Sequence, residues 1–324
     1  MNPSPRSGMS DHRVEVIIMH KFKITVIGTI TKDTIIFPNG KTTESFGGIL
    51  YNVSALSGLG GNRFEIYPVC NLGYDIYDEV MKILGKYQNV KLGGINMTKR
   101  KNNNVFLSID KRHHKKEVLR NRVPALNFGQ VKPFIDSQVL LVNFISGFDI
   151  GLEDLKRIRN NTNGRIFLDI HSLTLGRDRS GKRYLRTPKN WREYIQPVDI
   201  IQTNLIELNV LYGGKLRDIK EICEFGNYLL NLGPGVLLVT MGEKGSMMIF
   251  REKDKLKIEK CAGISVQGVT DTTGCGDVFS AGFLTCYLKT NDLVQSLDFA
   301  NWMAAEKCKI SGVEGVANLL RANG

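Results

Sequence analysis

A chain of 324 residues can bury a large core, and at roughly 100–200 residues per domain it allows one large domain with an appendage. Its formal charge of +12 is scattered, with no long single-sign run and no interleaved aromatics, which argues against nucleic acid; attraction for a polyanionic nucleotide, or plain solubility, accounts for it. Six separate cysteines without a CxxC pair or histidines at ligand spacing argue against a zinc module and read as reduced thiols of a cytoplasmic protein, and no run approaches the ~18 apolar residues of a membrane span.

Residues 1–20 hold only the brief apolar run Val16–Met19, too short for a signal-peptide core, and read as a disordered leader with Met19 as an alternative start. Lys23-Ile-Thr-Val-Ile-Gly28 is a β-branched run closed by glycine, the form of a buried first strand whose C-terminal end borders a ligand crevice. After Asp33, the segment Thr34–Phe46 turns at Asn39-Gly40, a strong hairpin signal. Gly47-Gly48 then open a helix through Asn52, Ala55 and Leu59 that stops at Gly60-Gly61. Phe64–Val69 reads as a strand, Asn71–Asp75 as a turn and Asp78–Tyr87 as a helix. A second alternating patch, Asn104–Asp110 and Glu117–Val123, flanks the basic run Lys111–Lys116. Adjacent His113 and His114 would point to opposite faces of a strand, so this run is a solvated hairpin tip rather than a metal site. The two hairpins would pair into a small sheet over the crevice, a lid.

Beyond Pro133, strands Val139–Phe144, Arg165–Ile170, Asp199–Gln202 and Gly235–Thr240 alternate with helices Leu152–Arg159, Ile206–Tyr212 and Ile219–Leu232. That alternation implies parallel pairing through right-handed crossovers. With no internal repeat and no low-complexity linker, one large domain interrupted by the lid is the expected organisation. Gly176-Arg-Asp-Arg-Ser-Gly181-Lys182-Arg183 fits seven positions of a P-loop but fails at the eighth, where Arg183 has no hydroxyl for Mg²⁺, and no apolar helix follows. It reads as a basic connection.

Three further segments could carry chemistry. Asn204 and Glu207 lie three apart at an opening helix turn and face the same way; they could hold waters around a divalent cation, or simply form an N-cap and capping box. Val239–Ser246 links two strands through glycines, either a plain hairpin or a loop that lets a nucleotide approach the backbone. Val269–Phe283 combines turn-favouring Asp271, Thr272 and Thr273 with Gly274 and Gly276 and an apolar helix pattern, which is the recipe for an anion hole at a helix N-terminus. Asp277 in the first turn would repel a phosphate, so it makes sense as a base for an attacking hydroxyl; the alternative is a capped helix with an acid favouring the dipole.

DTTGCGDVFSAGF resembles the C-terminal signature of the ribokinase-like (pfkB) carbohydrate kinases, which reads Asp-Thr, a variable residue, Gly-Ala-Gly-Asp, then Phe and a small residue. GGILYNVSALSGLGG is similar to that family's N-terminal signature, and the Asn-x-x-Glu and Thr-x-Gly-x-x-Gly segments at Asn204 and Thr240 follow in the family's order. Cys275 departs from the usual Ala, and past Asp169 the match to the family's substrate-side Asp and Arg is poor, so no role passes to Arg177 or Lys182.

The resemblance covers the chain from about Lys21. It implies a three-layer α/β/α, Rossmann-like ribokinase fold over 21–324, with a mainly parallel sheet and a β lid from about 33–46 and 103–124. It implies transfer of the γ-phosphoryl of ATP to a hydroxyl, a primary alcohol, of a sugar or nucleoside. Asp277 would be the base, with the amides of Gly274, Cys275 and Gly276 stabilising the transferring group. Asn204 and Glu207 would organise Mg²⁺ through water; Asn204, Thr240, Gly242, Gly245 and Thr272 would lie along ATP, with adenine near Asn301 and Ser311–Gly315. Asp33, Gly47, Gly48 and Asn52 would hold the acceptor, Asp271 would serve a monovalent cation such as K⁺, and a homodimer would form through the lid. No nucleic acid or membrane partner is implied. Two alternatives stand beside this: a kinase of heterocyclic alcohols such as vitamin precursors, and a sugar- or nucleotide-binding sensor without turnover, against which the intact Asp277 argues.

Overall fold

The computed structural model describes residues 21–36, 39–109 and 115–318. The leader and most of the basic hairpin tip, with His113 and His114, lie outside them. The described residues open with β1 (Phe22–Ile27), the hairpin β2 (Ile30–Ile36) and β3 (Thr42–Gly48), and helix α1 (Ile49–Gly60). Then come β4 (Phe64–Gly73), α2 (Tyr77–Leu84), β5 (Ile95–Thr98) and the hairpin β6 (Asn104–Ile109) and β7 (Lys115–Arg120). A short α3 (Phe128–Val131) precedes β8 (Val139–Asn143), α4 (Leu152–Arg159), β9 (Arg165–Asp169) and a small hairpin of β10 (Leu175–Arg177) and β11 (Arg183–Leu185). The remainder is α5 (Trp191–Ile195), β12 (Ile200–Asn204), α6 (Leu205–Tyr212), α7 (Ile219–Leu230), β13 (Val236–Thr240), β14 (Gly245–Glu252), β15 (Lys255–Ala262), α8 (Cys275–Thr290) and α9 (Leu293–Lys307).

Among the described residues, nine strands form one sheet in the order β15-β14-β13-β12-β9-β8-β1-β4-β5. All neighbours from β13 to β5 are parallel, and the β13-β14-β15 edge is antiparallel. The central strands are apolar on both sides because helices cover both faces. Leu141 and Phe167 join Leu56 of α1, Phe283 of α8 and Leu297 of α9 in one core. Their neighbours Leu140 and Leu168 point the other way, onto Leu155 of α4, Leu208 of α6 and Phe225 of α7. The architecture is therefore α/β/α in three layers. Local sequence agrees with it: α4 carries Glu153 and Asp154 in its first turn and Lys156, Arg157 and Arg159 in its last, complementing the helix dipole, while Leu155 and Ile158 are buried.

The second sheet, β3-β2-β6-β7, is built by the two hairpins, joined through the parallel β2–β6 pair. It differs in burial from the main sheet: Lys32, Asp33 and Ile35 are half-buried and Thr34 is buried. One expectation is corrected. Asn71–Gly73 are not a turn but the end of β4, held by β5, with Cys70 opposite Ile95 and Gly73 opposite Thr98. The P-loop-like segment is the β10–β11 hairpin. Asp178 turns it by accepting from Ser180 Oγ (2.7 Å) and the Lys182 amide (2.9 Å), so a protein carboxylate takes donors that a phosphate would need.

Candidate active site

The parallel strands end side by side. Register sets Asn143 of β8 opposite Asp169 of β9, Asp169 opposite Gln202 of β12, and Asn204 opposite Thr240 of β13. The crevice beyond the carboxyl ends of parallel strands is where an open α/β sheet binds ligands. Here it has a volume of about 790 Å³, walled by the strand ends, by Thr270–Gly274, Gly276 and Asp277, and by β2, β3 and β6. That size suits small-molecule sites.

Asp277 lines it from the first turn of α8. Gly274 caps this helix with φ 80°, and its missing Cβ leaves room for the Tyr51 ring packed against it. The Asp271 carboxylate accepts the Thr273 amide at 2.8 Å and shapes the turn before the glycine. Gly276 and Asp277 are helix-start residues whose amides have no carbonyl one turn back, so they and the dipole favour an anion at this point. Cys275 differs from expectation. Its amide reaches the Thr272 carbonyl at 3.3 Å, and its sulfur lies 3.3 Å from that of Cys308 rather than on the crevice wall. Burial, and then Cys308, push its thiol far up, against the lowering that a helix N-terminus would favour.

Asp277 is held by residues distant in sequence. Asn143 Nδ2 donates to Asp277 Oδ1 at 2.6 Å and to Asn52 Oδ1 at 3.1 Å, while Asn52 Nδ2 donates to the Asp277 carbonyl at 3.0 Å and Ser280 Oγ at 2.9 Å. Asn52 is fully buried and its polar atoms are spent on this network. It does not line the crevice as an acceptor ligand would; it braces the first turn of α8. Burial raises the Asp277 carboxyl above the ordinary value, opposed by His171, the Asn143 hydrogen bond and Lys307. A carboxyl moved towards neutral pH suits proton removal.

Opposite it, Asp33 on β2 and Gly48 on β3 line the crevice. Gly47 lies beneath the Asp33 carboxylate, where a side chain would collide with it, and Gly48 takes φ 67° against the Thr29 carbonyl. Burial pushes the Asp33 carboxyl up to about 6, moderated by a Thr31 hydrogen bond and reinforced by Glu117, Asp277 and Asp271.

Asn204 and Glu207 form a capping box: Glu207 N donates to Asn204 Oδ1 at 2.9 Å and Asn204 N to Glu207 Oε2 at 2.9 Å. Both still face the crevice, beside Asp169 and His171. His171 follows β9 with φ 31° and sets Nδ1 3.7 Å from Glu207 Oε1. Its ring is half exposed; partial desolvation disfavours the charged form, but Glu207, Asp169 and Asp277 overcome that and raise it to about 10. Among the described residues no three acidic, His or Cys side chains chelate a metal alone. The carboxylates fit Mg²⁺ in its usual mode, carried on phosphates and reached through water. Thr240, Thr272, Ser311 and Gly312 line the crevice. Gly242 and Gly245 shape the turn beyond, with φ 59° and 90°. Asn301 is spent on Ser246 and the Ala262 carbonyl. The oxygens around Asp271 already surround an ammonium: Lys307, 0% exposed, donates to the Ile310 carbonyl (2.9 Å) and the Asp271 carbonyl (3.4 Å), with the Asp271 carboxylate at 3.7 Å.

Asn143, His171, Gln202 and Lys307 were not found by sequence reasoning. His171 alone had a signal, a histidine two residues past Asp169 at a strand end.

Residues 20–317 match the model of the pfkB family of carbohydrate kinases. Over 307 residues the chain is 24% identical to a cytidine kinase of Thermococcus kodakarensis, which spans 92% of this chain and 96% of that protein. Among solved structures it resembles a pyrophosphate-dependent kinase in the ribokinase family (TM-score 0.75, 16% identity, 92% of this chain and 99% of the other). It also resembles ribokinase from Thermotoga maritima (TM-score 0.72, 17% identity, 93% and 98%). At these identities the structural likeness gives the ribokinase fold alone.

Proposed function

This chain belongs to the pfkB family of carbohydrate kinases, and on that premise we propose that it moves the γ-phosphoryl of ATP to a hydroxyl of a nucleoside or sugar, with a nucleoside favoured. The observation that carries the reading is Asp277, set by Asn143 at a helix start whose amides face the same crevice. Asp277 Oδ1 is held, so Oδ2 takes the proton of the acceptor hydroxyl as its oxygen bonds to the γ-phosphorus and the bond from that phosphorus to the β,γ-bridging oxygen breaks, releasing ADP. The amides of Gly276 and Asp277, with the Gly274 turn, receive charge on the transferring group. Asn204 and Glu207 would hold Mg²⁺ through water, and the ion would supply charge to neutralise the phosphates. Asp33 accepts hydroxyls of the acceptor, and Thr240, Thr272 and Ser311 border the nucleotide.

The nucleoside preference rests on Ile35, Val105 and Leu107, which add an apolar strip to the crevice beside Asp33 and Glu117. A base would bury that strip; a bare pentose would leave it wet. The full-length likeness to a cytidine kinase points the same way. The sheet that bears these residues acts as a lid, and dimerisation through it remains part of the proposal. The test is a panel of nucleosides, pentoses, hexoses and hydroxymethyl-heterocycles, with ATP or pyrophosphate as donor, read by ADP or phosphate release and product mass. Turnover is expected to be highest for a nucleoside with ATP. A best substrate among the heterocyclic alcohols would overturn the acceptor class, and binding without turnover of any compound would make the protein a sensor.

A further inference from the structure

Lys307 ends α9, a position where a lysine normally reaches solvent, yet it is fully buried. Its ammonium turns inward to the Ile310 and Asp271 carbonyls and the Asp271 carboxylate, with the Tyr51 ring centroid at 5.3 Å. These partners come from three segments. Asp271 belongs to the turn before Gly274, Ile310 to the loop after α9, and Tyr51 to α1, where its ring packs against Gly274. The same two loops are joined again by the amides of Thr270 and Asp271, which donate to the Cys308 carbonyl at 2.8 and 3.3 Å, and by Gly312 N, which donates to Asp271 Oδ2 at 3.3 Å.

We propose that Lys307 is a tethered monovalent cation, whose ammonium takes the place a free potassium ion would fill beside Asp271 and orders the turn that carries Gly274–Asp277. Two features exclude a second cation. One carboxylate, Asp271, already balances one positive charge, and a further cation sharing its oxygens would lie within a few ångströms of the ammonium in a partly buried site, where like charges repel strongly. The carbonyls that would ligate the ion already accept from Lys307 Nζ. The charge is also felt by the catalytic loop: Lys307 is among the groups that counter the burial of Asp277. Lys307 is a positioning residue and touches neither substrate nor nucleotide. Catalysis and fold stability are accordingly independent of K⁺.

The test has a binding arm that does not rest on the kinase reading and a turnover arm that does. In the full-length wild type, thermal midpoint is measured in matched KCl, NH₄Cl and tetramethylammonium chloride, the last too large for such a site; equal midpoints are expected, and turnover of the best acceptor is expected to agree within twofold. Lys307→Ala opens the site. It should lose at least tenfold in turnover in tetramethylammonium and regain several-fold with K⁺ or NH₄⁺, and its midpoint should now rise with either ion. Lys307→Met, which fills the stem without the charge, should lose turnover and gain nothing from either ion. A wild type stabilised or activated threefold or more by K⁺ overturns the proposal, as does a Lys307→Ala protein with unchanged turnover and midpoint. If neither variant folds, the wild-type comparison decides alone. Absence of any turnover would count against the kinase reading and leave the thermal arm standing.

Discussion

Asn143→Ala probes how Asp277, the proposed base, is aimed. Asn143 is fully buried at the end of β8, and its single Nδ2 serves both Asp277 Oδ1 (2.6 Å) and Asn52 Oδ1 (3.1 Å). Removing it leaves Asn52 Oδ1 buried without a donor, which costs about 1–3 kcal/mol of stability. Asp277 is only partly buried and borders the crevice, so its freed oxygen can take water. Loss there shows in chemistry instead. The Asn143 hydrogen bond is one of the groups that hold the Asp277 carboxyl down against burial; without it the carboxyl rises further, and the acid limb of the rate profile moves to higher pH. Misaiming the base forfeits part of the ~10²–10⁴-fold that proton removal supplies, so turnover per folded molecule should fall on the order of 10–100-fold. Denaturant unfolding gives the stability change, and a pH series of kcat/KM gives the limb. A variant that loses stability but keeps both turnover and limb would show that Asn143 is a packing residue and that Asp277 is aimed by something else.

Glu207→Gln keeps most of the capping geometry and removes the charge, so it should lower stability by about 0.5–2 kcal/mol and raise the Mg²⁺ concentration for half-maximal rate more than the acceptor KM; an unchanged Mg²⁺ requirement would leave Glu207 as a helix cap only. Asp33 has its carboxyl raised from 3.8 to about 6, so its stability contribution is full below pH ~4 and lost as pH rises through 6. Acceptor KM should fall over the same rise as the carboxylate forms, and Asp33→Asn should flatten both dependences; a KM independent of pH from 5 to 7.5 would remove Asp33 from the acceptor site. Burial pushes the Cys275 thiol far up, so alkylation followed by peptide mass at pH 7 should label it more slowly than a free thiol, and faster labelling would mean the helix start governs it instead.

Contiguous features were legible in the sequence and assembled ones were not. The β-branched runs of β1, β8 and β13 and the glycine turn at Gly274–Gly276 each express their role within a few residues, because strand burial and helix-start geometry are local. Asn143 meets Asp277 across 134 residues only because the fold packs α8 in the same core as β8 and β9, with Phe283 beside Leu141 and Phe167. Asn52 was read as an acceptor ligand from its signature, but the helix face that carries it turns onto α8. β5 is four residues long, with Met97 exposed, and shows no run to detect; its pairing extended β4 through Gly73, where composition had suggested a turn. Lys307 is the last residue of α9, and nothing local in the sequence says that its side chain folds inward.

Asp277→Asn tests the central claim most directly, with turnover, ATP affinity and thermal midpoint measured on the same preparation. Asn keeps the shape and can still accept from Asn143, but it cannot take a proton. It also removes a charge that burial disfavours in the folded state, so the midpoint should hold or rise, and ATP affinity should hold or improve as a negative charge leaves the phosphate site. Turnover per folded molecule should fall ~10²–10⁴-fold. Turnover within tenfold of wild type, with or without a change in midpoint, would contradict Asp277 as the base of phosphoryl transfer.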